Sequence, residues 1–227
     1  MCAIYSHCAV WTSCKLGRAI VGLMRPLLTL LFILFCTSIA FAQTEFASIE
    51  AFRKSVLQGE DSVTIEASGD LNGDGLADWA GVVYRQKPDA PQTYQLYVLL
   101  HQPAGNYQLA QTSREGEIPG MGCCWVEDLR IERSSIYIQN NAKTAATMEA
   151  ATHQFKLYQG AWRLVGIRIY YIEHQYDRDT DTDMNVLTGQ VIVKTIKRNR
   201  TITTRRTRKF GVHLLKDFDF GNSFGME

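Results

Sequence analysis

The chain is poor in the residues that staple small folds or build familiar catalytic sites. It has six cysteines and five prolines in 227 residues, and Cys2, Cys8, Cys14 and Cys36 all precede residue 43. That leaves Cys123 and Cys124, side by side in Gly-Cys-Cys-Trp. Two adjacent cysteines make no disulfide framework and no zinc-ligand spacing. The sequence has no His-Glu-x-x-His, no Gly-x-Ser-x-Gly and no phosphate-cradling glycine loop, so the common metalloprotease, serine-hydrolase and nucleotide sites are absent as motifs. Net charge is also missing: 24 basic residues face 23 acidic ones. Three of the bases, Lys15, Arg18 and Arg25, precede residue 43, where there is no acid, so the remainder leans acidic. That balance argues against a general nucleic-acid binder.

Only one long apolar run is present, and it lies near the N-terminus. Arg25-Pro26 precedes Leu27–Phe35, and Ala40-Phe41-Ala42 closes the segment before Gln43. A basic start, an apolar centre and a small-x-small end describe a secretory signal peptide, here residues 1–42. The run is about 15 residues, short of the roughly 20 that span a bilayer, so no stable membrane span is expected after cleavage. Met24 gives a leader of ordinary length and is the better start. Residues 43–227 are expected to form one β-rich domain in the periplasm or outside the cell, an oxidising setting. There Cys123 and Cys124 have three open fates: a vicinal disulfide, a bond to another chain, or two buried thiols.

The most informative stretch is Asp-Leu-Asn-Gly-Asp-Gly-Leu-Ala-Asp at 70–78. Asp70, Asn72 and Asp74 place oxygen ligands at alternating positions, and Gly75 permits a sharp turn. Ca²⁺ takes roughly six to eight oxygens. The three side chains, the Leu76 carbonyl and Asp78, directly or through water, would supply five. The competing reading is a polar turn, which Asn, Asp and Gly also favour. An EF-hand needs a bidentate Glu at the twelfth position; here that position is Gly81.

The flanks Ser62–Ser68 and Trp79–Tyr84 alternate and favour β-branched or aromatic residues, as strands do. A loop of this form between strands resembles the FG-GAP or VCBS-type repeat of integrin-α-like proteins, with its Asp-x-Asn-x-Asp-Gly-x-x-Asp signature. The resemblance implies a calcium loop. It does not imply a propeller, because no second copy of the loop occurs. The chain as a whole is similar to small exported bacterial proteins with one such loop, a similarity that implies no particular reaction.

Elsewhere the pattern predicts a helix over Glu45–Leu57, with Ser48 and Glu50 as cap residues, followed by short strands separated by Gly, Pro and Asn turns. Strands 152–158 and 162–171 read as a hairpin turning at Gln159-Gly160. The fold class is all-β or β-dominated α+β, with antiparallel sheets and one N-terminal helix.

Two charged tracts remain. Asp177, Asp179, Asp181, Asp183 and Asn185 alternate; they read as a solvated loop, with a second, looser cation site as the alternative. Lys194, Lys197, Arg198, Arg200, Arg205, Arg206, Arg208 and Lys209 form a basic hairpin turning near Asn199. It would suit an anionic envelope component or an acidic protein, or simply guard a sheet edge against aggregation. Glu173-His174, beside the acidic tract, is the only pair to inspect for acid–base work, and a surface His near carboxylates is far more often incidental. The reading is an exported calcium-binding domain with a recognition or structural role and no catalysis. The alternative is an envelope hydrolase, or an inhibitor of one, whose site is scattered through the sequence.

Overall fold

A computed structural model describes residues 45–86, 90–117, 124–198 and 200–221. Residues 1–42, read above as a signal peptide, Met24 among them, lie outside the described residues, as do Cys123, the Cys124 side chain and Asn199. Among the described residues the fold is β-dominated, with two antiparallel sheets and a single α-helix.

The helix α1 (Ile49–Val56) is shorter than the sequence pattern predicts. Glu45–Phe46 form a short strand, β1, paired with Tyr107 and Gln108, so the helix cannot start until Ser48. The Ser48 hydroxyl oxygen accepts the Ala51 N–H at 3.1 Å, an N-cap that contributes about 1 kcal/mol. Phe52 is its buried residue. It meets Phe46, Trp79 and Tyr97 edge-on, with ring centroids 5.2 to 5.4 Å apart.

The first sheet contains β2 (Ser62–Gly69), β3 (Asp78–Arg85), β4 (Thr93–His101), β5 (Tyr107–Thr112) and β6 (Gly116–Glu117). Its order is β1-β5-β4-β3-β2, with β6 beside β4. The central strands are covered on both faces, which explains the unbroken burial of Asp78–Val83. Trp79 and Val83 face the helix, while Ala80 and Val82 face the second sheet. A Cβ on Gly81 would run into the Trp79 ring, so glycine there lets the indole lie flat.

The second sheet is a seven-strand meander: β7 (Cys124–Glu132), β8 (Ser135–Lys143), β9 (Thr147–Tyr158), β10 (Ala161–Glu173), β11 (Arg178–Asn185), β12 (Gln190–Lys197) and β13 (Arg200–Thr207). The expected hairpin is β9–β10. Its two-residue turn puts Gln159 and Gly160 at φ 53° and 77°, the turn whose twist matches that of the strands it joins.

The core lies between the sheets: Val82, Leu96 and Val98 from one, Leu129, Ile136, Ile138, Phe155, Leu164 and Ile167 from the other. It is plugged by the C-terminal segment through Leu215, Phe218 and Phe220, which the sequence reading did not assign.

One expectation is overturned. Asp179, Asp181, Asp183 and Asn185 do not lie in a loop: they belong to β11, paired along its length with β10 and β12. Alternating Asp with Thr and Met is a period-2 strand pattern. The neighbouring strands supply what the charges need. Arg168 grips Asp181 with two hydrogen bonds of 3.0 Å, and the Tyr170 hydroxyl donates to Asp179 at 3.0 Å. Asn185 caps the next turn by accepting the Thr188 N–H. Asp177 stands outside the strand, exposed and with φ 46°.

Candidate metal loop and basic edge

The loop between β2 and β3 is knitted from its own side chains. Asp70 accepts the N–H groups of Gly73 (2.6 Å) and Gly75 (3.0 Å) on its two oxygens. Asn72 accepts the Asp74 N–H and donates its amide to Asp74 Oδ2. Asp74 in turn accepts the Leu76 N–H at 2.8 Å. Gly73 and Gly75 both stand at φ 83°, where a side chain would be strained whatever the space around it.

Two residues anchor this polar turn. Leu71, only 2% exposed, points into the core between the sheets. Asp78, fully buried, accepts the Leu71 N–H at 2.7 Å and the His101 N–H at 2.9 Å. One carboxylate thus ties the loop to the end of β4. Sequence reasoning offered Asp78 as a ligand and missed this role, because its partner on β4 is remote in sequence.

The electrostatics differ along the loop. The Gly73 and Gly75 amides hold the Asp70 carboxyl below the usual aspartate range. Burial pushes Asp78 up, the Leu71 and His101 N–H groups pull it back, and the nearby charges of Asp74 and Asp70 add to the rise. Three carboxylates and an amide, all offering oxygen, suit a hard divalent cation rather than a soft one. Each bonded oxygen retains a second lone pair. Among the described residues, no three His, Cys, Asp or Glu side chains are already gathered around one point.

The other candidates are placed as follows. Lys194, Lys197, Arg198, Arg200, Arg205, Arg206, Arg208 and Lys209 are all exposed, on and beside the β12–β13 hairpin. They do not form one basic face. Arg205 pairs in register with Ile192, two residues from Lys194, whereas Arg206 pairs with Val191 and Arg200 with Lys197. Side chains alternate across a strand, so the charge divides between both faces along the sheet's edge. Glu173 ends β10, and the exposed His174 begins a short 3-10 turn.

A cleft of about 590 Å³ lies between α1 and β2, lined by Ser48, Arg53, Glu66, Trp79 and Tyr107 among others. The sequence carries no motif for it. Burial raises the Glu66 carboxyl, but hydrogen bonds from Arg53 and the Trp79 indole outweigh it and leave Glu66 below its ordinary range.

Compared with known proteins, the chain matches no family model, no curated protein and no solved structure. Among the described residues, no helix is long and apolar enough to cross a membrane.

Proposed function

We propose that this chain is an exported, non-catalytic recognition domain whose 70–78 loop takes one structural Ca²⁺. The observation that carries the reading is the grouping of Asp70, Asn72 and Asp74 on one exposed turn, backed by a buried Asp78 that feels the charges of Asp70 and Asp74. Asp70, Asn72, Asp74, the Leu76 carbonyl and Asp78 would hold the ion. The ion would supply the positive charge that relieves their mutual repulsion and lets the turn close. The likeness of the motif to FG-GAP and VCBS-type loops supports the same reading, and the leader-like segment before Gln43 supports export.

The cleft carboxylate does not fit the general-acid role that a hydrolase would ask of it. A general acid at neutral pH needs a raised pKa, whereas Glu66 is lowered by Arg53 and Trp79. The exposed basic hairpin is the surface for an anionic partner, either an envelope component or an acidic protein.

The test is thermal unfolding of the purified protein in EGTA and in millimolar Ca²⁺. Calcium at roughly a hundredfold excess over its Kd stabilises by about 2.7 kcal/mol, which for this size raises Tm by about 5–10 °C. Asp70→Ala combined with Asp74→Ala abolishes the rise. A wild-type Tm indifferent to calcium refutes the ion. Export is checked separately: the protein recovered outside the cytoplasm should begin at Gln43.

A further inference from the structure

We infer that β13 is a docking edge for an acidic, extended protein segment, which adds to the second sheet as an eighth strand. The inference rests on the recognition half of the reading above and is independent of the calcium loop.

The two edges of the seven-strand sheet differ. At one end β7 packs against β2, closely enough that a Cβ on Gly69 would collide with Ile131. At the other, β13 is exposed along its whole length, and among the described residues no strand pairs with its outer side. Its pairing with β12 runs from Thr207 to Arg200 without a register shift, and it contains no proline. An edge of this length with unpaired N–H and C=O groups is a template for another strand. It carries Ile202, 65% exposed, which an added strand would help cover.

The charges decide which strand fits. Arg200, Arg205 and Arg206 repel a second basic edge, so the positive charge that guards against self-pairing selects an acidic partner. The same sheet contains the pattern two strands inward. The acidic strand β11 lies between β10, whose Arg168 holds Asp181, and β12, whose Lys194 stands opposite Asp181 in register. Acidic β11 is therefore flanked by bases on both sides, whereas β12, the strand paired with β13, carries no acid.

The division of Arg200 and Arg206 from Arg205 between the two faces argues for edge-on addition. A flat anionic surface would engage one face only. An added strand alternating Asp with Thr, like β11, would present carboxylates to both. Main-chain hydrogen bonds would supply affinity and the alternating side chains specificity.

The experiment uses the purified protein and a short peptide of alternating Asp and Thr, with copies N-methylated on alternate amides in both phases. The parent peptide should bind, weaken with salt, and slow hydrogen exchange across 200–207. One N-methylated phase should bind on the order of tenfold more weakly, because it lacks the ladder donors. Changing Arg200, Arg205 and Arg206 together to Glu should abolish binding and admit a Lys-Thr peptide instead. If both methylated peptides bind as well as the parent, strand addition is overturned while charge-based recognition stands. If neither the peptide nor polyglutamate binds, both fall.

Discussion

Asp78, on the first residue of β3, accepts the backbone N–H of His101, on the last residue of β4, at 2.9 Å, while its other oxygen accepts the N–H of Leu71. This buried carboxylate fixes both where the loop starts and where β4 ends. Asp78→Asn keeps the shape but turns one acceptor into a donor facing an N–H. We expect a loss of about 1–3 kcal/mol in urea unfolding. The loss should persist in EGTA, because it comes from protein hydrogen bonds. A variant destabilised only in calcium would mean that Asp78 acts solely as a ligand.

Leu71 holds the polar loop against the core. Leu71→Ala should cost about 2–5 kcal/mol, the range for large-to-small changes at buried sites. It should also speed hydrogen exchange at the Gly73 and Gly75 amides, which are held by Asp70. A loss below about 0.5 kcal/mol, the range of ordinary surface changes, would show that the loop is not anchored there.

Arg168 and Asp181 pair across β10 and β11 with good bidentate geometry, but the Arg168 side chain is 65% exposed. Exposed pairs contribute about 0–1 kcal/mol. A double-mutant cycle with Arg168→Ala and Asp181→Ala should therefore give a coupling below about 1 kcal/mol, reduced further by salt.

Glu66 carries a pH dependence of known sign. Its folded pKa lies below its ordinary value because hydrogen bonds from Arg53 and Trp79 outweigh burial. The native state therefore binds this proton less readily than the unfolded chain. The stabilisation is complete above the unfolded value and is lost as pH falls through the folded one. Glu66→Gln should flatten the acid limb of the stability profile. Since Glu66 is 45% exposed, solvent screening keeps the effect below about 1 kcal/mol. An unchanged acid limb would remove Glu66 from the account.

Local patterning explains why the β-rich fold, the β9–β10 hairpin and the basic hairpin were legible: apolar residues two apart, Gly at a tight turn, and a run of Thr, Val and Ile set among Lys and Arg with no acid. It failed at β11 because a row of Asp residues reads as repulsive until its neighbours are known. Arg168 and Tyr170 precede Asp179 and Asp181 by about ten residues, and only antiparallel pairing brings them together. The helix start was misplaced for a related reason, since Phe46 fits a helical face but is claimed by pairing with Tyr107.

By itself the sequence determined what its short-range chemistry dictates: antiparallel sheets, one capped helix, and a turn of oxygen donors that Gly75 lets bend sharply. Tertiary structure decided the rest. It made Asp78 a buried brace, drew Leu215, Phe218 and Phe220 in as a plug, and left β13 open while β7 was covered. Each of these depends on contacts between segments far apart in sequence, and no local spacing encodes a contact whose partner is set by the packing of the whole chain.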